Sequence, residues 1–390
     1  MKVYHQAGHN SVWNRTSFQD NEIGNGIIMS PVHDAMATIK GLDADLKQCS
    51  LFDPQFYVPD SQKTKLNSYN FFPETITDGF STIDYAASAS ESAEQCVDFQ
   101  LENDFESLVI PARYFDEMLT DYIERQRSFT VEPFLAAISN RGSDKDIYLT
   151  LPVTSAMISD AGYRSQLLNW ITSYPKITGV YLLLSMDNRT KQISDFNILN
   201  DHLLFIEDLH GADLSVICGY CNTEGLILAA MDVYAVTIGA YENTRRFSID
   251  KFLDDDAIRT GPAPRIYLPN LLNWIRYDTA VEVREDQPDL WNEIYTPTDY
   301  SEQVLESGVR PHFTQSPLYH HHFELITQQY DEVVSRGSVE DRLKYVQELI
   351  QSAHTLYGSV RSAGVMFFDT NCSGEHLPHW NRVLNRLQRH

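Results

Sequence analysis

Residues 214–247 read LSVICGYCNTEGLILAAMDVYAVTIGAYENTRRF, in the order strand, short loop, helix, strand. From Leu214 to Cys218 every position but Ser215 is apolar or β-branched, as suits a strand buried on both faces, and Tyr234 to Ile238 is a second such run. Each run ends in polar residues with no evident packing role: Tyr220, Cys221 and Asn222 after the first, and Tyr241, Glu242, Asn243, Arg245 and Arg246 after the second. This is the repeat unit of a parallel α/β barrel, a class whose chemistry sits on the rim formed by the carboxyl ends of the strands.

Working outward, eight short apolar runs read as strands: 26–30, 49–53, 107–112, 147–151, 179–185, 214–219, 233–239 and 265–269. Helix-like stretches lie between them, such as 163–174, where Leu167, Leu168 and Ile171 recur at helical spacing. Eight alternations predict an α/β fold, a (β/α)8 TIM-like barrel. An open doubly wound sheet is the alternative, because chain order alone does not prove closure.

The expected organisation is an N-terminal segment across the barrel (1–25), the barrel itself (26–287) and a helical C-terminal region (288–390) with apolar residues at three and four spacing. After Asp53 the chain passes Pro54, Pro59, Pro73 and a Ser/Ala/Glu-rich stretch before the third strand. That is too long for an ordinary loop, so 54–100 reads as a rim insertion or lid. The C-terminal helices are expected to pack on the barrel or to carry a dimer contact.

Composition excludes several classes. With 43% hydrophobic and 12% aromatic residues among 390, the chain can bury a large core, which rules out general disorder. Its 54 acidic against 30 basic residues, a formal charge of −24, argue against a broad grip on nucleic acid, which needs clustered Lys and Arg, but leave room for a local basic site. Cys49, Cys96, Cys218, Cys221 and Cys372 are an odd number without a disulfide framework, and suit a reducing cytoplasm. The opening residues turn polar at once, and no apolar run approaches the roughly 18 to 20 residues of a membrane span. The expectation is a soluble cytoplasmic protein without membrane contact.

Asp53 ends a buried run and precedes Pro54, Gln55 and Tyr57; the proline stops the strand ladder and leaves the carboxylate at the rim. The bland reading is an Asx-turn that caps the loop. Glu242, Asn243, Arg245 and Arg246 place one carboxylate beside two guanidiniums able to hold phosphate or carboxylate through bidentate forks, or to close the barrel top as a salt-bridge cluster. Arg113, Asp187, Asn188 and Asn222 follow the third, fifth and sixth runs and complete the ring of strand-end polar residues, with Asn270 and Asn273 after the eighth.

Cys218 and Cys221 have CxxC spacing, but a zinc site needs about four ligands and there is no second close pair, so no metal is expected. His320, His321 and His322 are consecutive, which on a helix points them apart and favours a helix start or a surface cluster. His5, His9 and Trp13 are placed to fold across a barrel end. The run Asp254 to Asp256 reads as a solvated helix start. No GxGxxG, P-loop, GxSxG elbow or HExxH is present. No cofactor is expected, although a flavin phosphate on the loops after strands seven and eight, near Gly239 and Arg245, stays open.

From Val216 to Arg246 the order of features resembles the later part of the tRNA-guanine transglycosylase barrel. Gly219, Asn222-Thr-Glu224, Met231-Asp-Val-Tyr234 and Asn243-Thr-Arg-Arg246 stand where that family has its glycine loop, helix opening, Val-Asp strand and Thr-Arg turn. Asp53 resembles its base-recognising acid. Ala235 falls near the family's nucleophilic aspartate, and the Cys-rich zinc motif has no counterpart. The resemblance implies a divergent relative, in a bacterial antiviral defence setting, that binds or processes a purine or deazaguanine-like base or nucleoside rather than tRNA. As a transferase acting on glycosidic bonds it would use Asp53 and Glu242 as its two carboxylates, with Gln55, Tyr57, Arg113, Asp187, Asn222, Asn243, Arg245 and Arg246 around the substrate. The alternative is a catalytically inactive barrel that binds a protein partner, and a homodimer is the default assembly.

Overall fold

The structure, a computed structural model, describes residues 1–77, 82–186, 191–253, 261–367 and 369–389. Its centre is eight parallel strands: β1 (Lys2–Gln6), β2 (Gly26–Met29), β3 (Leu51–Phe52), β4 (Leu108–Ile110), β5 (Ile147–Thr154), β6 (Gly179–Ser185), β7 (Ser215–Cys218) and β8 (Ala235–Ile238). They hydrogen-bond in the order β3-β2-β1-β8-β7-β6-β5-β4. Because the first strand pairs with the last, Val3 against Val236 and Tyr4 against Thr237, the sheet curls into a nearly closed (β/α)8 TIM-like barrel. The strands are buried along almost their whole length, which is why they read as continuous apolar runs.

The seam lies between β3 and β4, which share no ladder. An unpaired strand edge leaves backbone donors and acceptors that must find partners. The Gln100 carboxamide supplies them: its Oε1 accepts from Val109 N at 2.8 Å and its Nε2 donates to Val109 O at 3.1 Å. Glu106 N donates to Ser50 O at 3.0 Å just before the two strands begin. Gln100 belongs to the helix Thr82–Glu102, so the stretch 54–100 holds the helix that joins β3 to β4, and its rim portion is confined to the residues nearest β3.

Two elements differ from expectation. Lys2–Gln6 does not cross the barrel; it is a central strand between β2 and β8. Arg265–Leu268 (β9) is not a barrel strand; it pairs antiparallel with Asn273–Arg276 (β10) through a tight turn in which Leu272 has φ +50°. The count of eight holds, with the ring beginning one strand earlier.

The C-terminal region is helical. The helix Pro317–Val334 covers Gly225–Ala230, the fully buried helix between β7 and β8. Contact is so close that a Cβ on Gly225 would stand 2.2 Å from the Tyr330 hydroxyl oxygen. His320, His321 and His322 sit near the start of that helix and are buried, not at the surface. His321 is held on both nitrogens, by Thr298 Oγ1 at 2.8 Å and Tyr267 O at 2.9 Å. His5 is equally internal, its Nε2 2.9 Å from Ile23 O. Among the described residues no helix is long and apolar enough to cross a membrane.

Candidate functional site

Two polar centres occupy the carboxyl ends of the strands. The first is a cationic cleft after β7 and β8, lined by Lys191, Asn222, Glu242, Arg245, Arg246, Arg265, Asn273, Trp274 and Asn371. Four cations face one lining carboxylate, a local inversion of the chain's acidic balance. Glu242 pairs with Lys191 and lies 3.4 Å from Arg265 Nε. Burial pushes its carboxyl up, but Lys191, Arg245 and Arg265 outweigh this and hold it below its usual value. Arg265 also pairs with Asp369.

Arg245 forms the floor. Its residue is buried, it donates to the carbonyls of Gly239 and Ala240, and its guanidinium carbon lies 4.0 Å from the Trp274 ring centre. Desolvation lowers its pKa to about 10. Among the described residues, the buried donors Arg245 Nε and Trp274 Nε1 find no hydrogen-bond partner. Such donors mark a place where an acceptor is wanted. Behind the cleft, Glu224 Oε1 accepts from Asn222 N at 2.9 Å while Oε2 is unpartnered, and burial lifts this carboxyl to about 7. The cleft has about 10 Å³ of free space, roughly one water's worth. An adjoining pocket of about 70 Å³ shares Lys191 and Asn371 with it.

The second centre fills the barrel mouth. After β8 the chain folds back over the opening: Phe247 bridges to Ser185 at the end of β6 and packs on Tyr57, Tyr114 and Tyr220 at 5.1, 5.8 and 5.3 Å between ring centres. Ser61 Oγ donates to Phe252 O at 2.8 Å, fastening this segment to the rim residues after β3. Beneath it Asp53 is fully buried; Tyr57 Oη donates to its Oδ2 at 2.8 Å and Gln55 N to its Oδ1 at 3.0 Å. Desolvation raises Asp53 to about 6 despite these donors. Lys251 Nζ donates to Tyr220 Oη at 2.7 Å.

The residues expected on the rim therefore divide. Asp53, Gln55 and Tyr57 belong to the mouth; Asn222, Glu242, Arg245 and Arg246 line the cleft. Of the two expected carboxylates, Asp53 is held by Tyr57 in the mouth and Glu242 lines the cleft. Arg113 follows β4, with its guanidinium carbon 5.2 Å from the Phe115 ring centre. Asn243 is exposed on the short turn Glu242–Thr244, and Asn270 donates to Glu293 O away from the cleft. Asp187, Asn188 and the run 254–256 lie outside the described residues. Cys218 and Cys221 are buried thiols raised by desolvation, and among the described residues no group of three or more His, Cys, Asp or Glu is arranged to hold a metal ion.

Sequence reasoning did not single out Lys191, Arg265, Trp274, Asn371, Glu224 or Lys251 as site residues. Of these, Glu224 lay within a quoted motif and Arg265 opened the eighth apolar run; the others come from a hairpin, a loop and the C-terminal region that fold onto the rim from far along the chain. No protein-family model, curated protein or solved structure matches this chain.

Proposed function

We propose that this barrel binds, and in its catalytic form acts on, a small molecule carrying a phosphate or carboxylate group, held in the cleft after β7 and β8. The observation that carries this reading is the pair of buried donors, Arg245 Nε and Trp274 Nε1, unpartnered among the described residues, in a cleft with four cations and one lining carboxylate. Barrels of this class often hold phosphate on the loops after their last two strands. Guanidinium forks bind such groups by paired charge-assisted hydrogen bonds. A nucleoside phosphate is the ligand class that joins this cleft to the purine or deazaguanine-like base expected from the transglycosylase resemblance, and the adjoining pocket gives it room to extend.

Thermal unfolding with inorganic phosphate, purine nucleoside monophosphates and free purines tests the reading. A ligand at about a hundred times its dissociation constant adds about 2.7 kcal/mol of stability. The phosphate-bearing compounds should stabilise the chain, and Arg246→Gln should weaken their binding about tenfold, the worth of about one charge-assisted hydrogen bond. If none of these anions shifts the transition, the cleft is a salt-bridge cluster and the reading fails.

A further inference from the structure

We propose that the barrel mouth is a second reactive centre, in which the Lys251 amine forms a covalent carbon–nitrogen adduct with a small aldehyde or ketone. This goes beyond the anion-binding reading and does not depend on it, since the two centres share no lining residue.

The geometry begins with convergence. Gln6 ends β1, Ser30 follows β2, Asp53 and Gln55 follow β3, Tyr181 comes from β6, Tyr220 follows β7, and Lys251 hangs from the segment after β8. Six strands thus send polar groups to one end of the barrel, where packing alone calls for apolar ones. Gln55 (φ +58°) and Tyr220 (φ +56°) both adopt the left-handed backbone region that non-glycine residues avoid. Strain of this kind, on two residues of one cluster, is a mark of functional sites.

Gln55 Oε1 is taken up by Ser30 Oγ at 3.0 Å and Val32 N at 3.2 Å, and Gln6 Oε1 by Tyr181 Oη at 3.0 Å. The Gln6 amide nitrogen, Nε2, is buried and has no hydrogen-bond partner among the described residues, while the Gln55 side chain interacts with both Asp53 and Tyr220. An unpartnered donor in the same polar cluster as an amine complements a carbonyl compound's oxygen.

The amine suits the chemistry. Lys251 Nζ is hydrogen-bonded to a phenol, not a carboxylate, and lies 4.2 Å from the Tyr220 ring centre and 5.0 Å from that of Phe252. Desolvation lowers its pKa to about 7, with Asp53 pulling the other way. His33, itself held neutral by burial and by Lys251, adds no competing charge at neutral pH. An amine half deprotonated near neutrality is a nucleophile; an ordinary lysine is not. Lys251 as a residue is only partly buried, at the edge of the covered mouth.

The step balances as follows. The Nζ lone pair bonds to the carbonyl carbon and the C=O π pair moves to oxygen. A proton from nitrogen passes to that oxygen through the Tyr220 hydroxyl, giving a carbinolamine. One further proton from solution lets the hydroxyl leave as water. The product is an iminium ion whose positive charge Asp53 faces.

The test is borohydride trapping on the full chain with pyruvate or glyoxylate as probe, followed by peptide mapping. At pH 7 the adduct should appear on Lys251 at least about tenfold ahead of exposed lysines such as Lys40, Lys176 and Lys344, because their neutral fraction is lower by about three orders of magnitude. Labelling should reach half its maximum near pH 7 and disappear in Lys251→Met. Asp53→Asn removes the charge that raises the Lys251 pKa, so it should move the midpoint to lower pH, a shift that a purely structural role would not produce. Labelling of Lys251 no faster than that of the exposed lysines, or only above about pH 9, overturns the proposal whatever phosphate does to stability. The wild-type measurement decides even if a variant fails to fold.

Discussion

The Arg245 guanidinium lies over the Trp274 ring, 4.0 Å from ring centre to guanidinium carbon, and this contact ties the loop after β8 to the β9–β10 hairpin. It also places a buried cation where Glu224 and Glu242 both feel it. Removing one partner of a buried charged arrangement leaves the rest uncompensated, which is costly. Arg245→Met should therefore lower unfolding stability by about 2–4 kcal/mol in urea titrations. A loss under about 0.5 kcal/mol would mean that the carboxylates find other partners and that the stacking is incidental.

Glu224 supplies a pH signature. Its folded-state pKa is raised to about 7 by burial, above the roughly 4.3 of an exposed glutamate. The folded chain then holds a proton that the unfolded chain has released, so this group's contribution to stability falls as pH rises from about 4.5 to 7. Glu224→Gln keeps an acceptor for Asn222 N and cannot ionise. It should match the wild type at about pH 4.5 and exceed it above pH 7 by on the order of 1–3 kcal/mol. Parallel pH–stability curves would show that Glu224 stays ionised in the fold.

The tight approach at Gly225 gives a steric test. A methyl group there would press on the Tyr330 hydroxyl at 2.2 Å, on a helix that is buried at every residue. Overpacking of this kind costs about 1–3 kcal/mol. Gly225→Ala should lower the melting temperature, and Tyr330→Phe should relieve part of the loss in the double variant, since the colliding atom is the hydroxyl oxygen. Full additivity of the two changes would place Tyr330 elsewhere in solution.

What the sequence disclosed follows from how each residue is buried. β7 and β8 are legible because both faces are covered by apolar neighbours, so hydrophobicity alone marks them. β1 is not: Lys-Val-Tyr-His-Gln buries His5 and Gln6 through hydrogen bonds to Ile23 O and Tyr181 Oη, and polar residues buried by such bonds leave no apolar signature. β9 reads like a barrel strand because Ile266, Tyr267 and Leu268 are apolar. The four residues separating it from the run Asn273–Arg276 were the available hairpin signal. The rim was legible strand by strand, but which rim residues meet depends on how the segment after β8 folds over the mouth. Nothing periodic announces Lys251, at the end of a three-residue turn, as the partner of Tyr220 and neighbour of Asp53.

Gln100 decides how well the barrel closes. Its carboxamide stands in for a neighbouring strand at Val109, the middle residue of a three-residue strand with no ladder on its β3 side. Gln100→Leu preserves much of the volume but leaves a buried N–H and a buried C=O without partners, at about 1–3 kcal/mol each before relaxation. The chain should lose on the order of 2–4 kcal/mol, with the loss concentrated at the seam. Amide hydrogen exchange should report it: Val109 N–H should exchange at least about tenfold faster relative to Val180 and Val236, which pair on both sides in the sheet interior. If all three amides accelerate equally, the barrel opens only by global unfolding, and the β3–β4 junction is as cooperative as the paired strands despite its missing ladder.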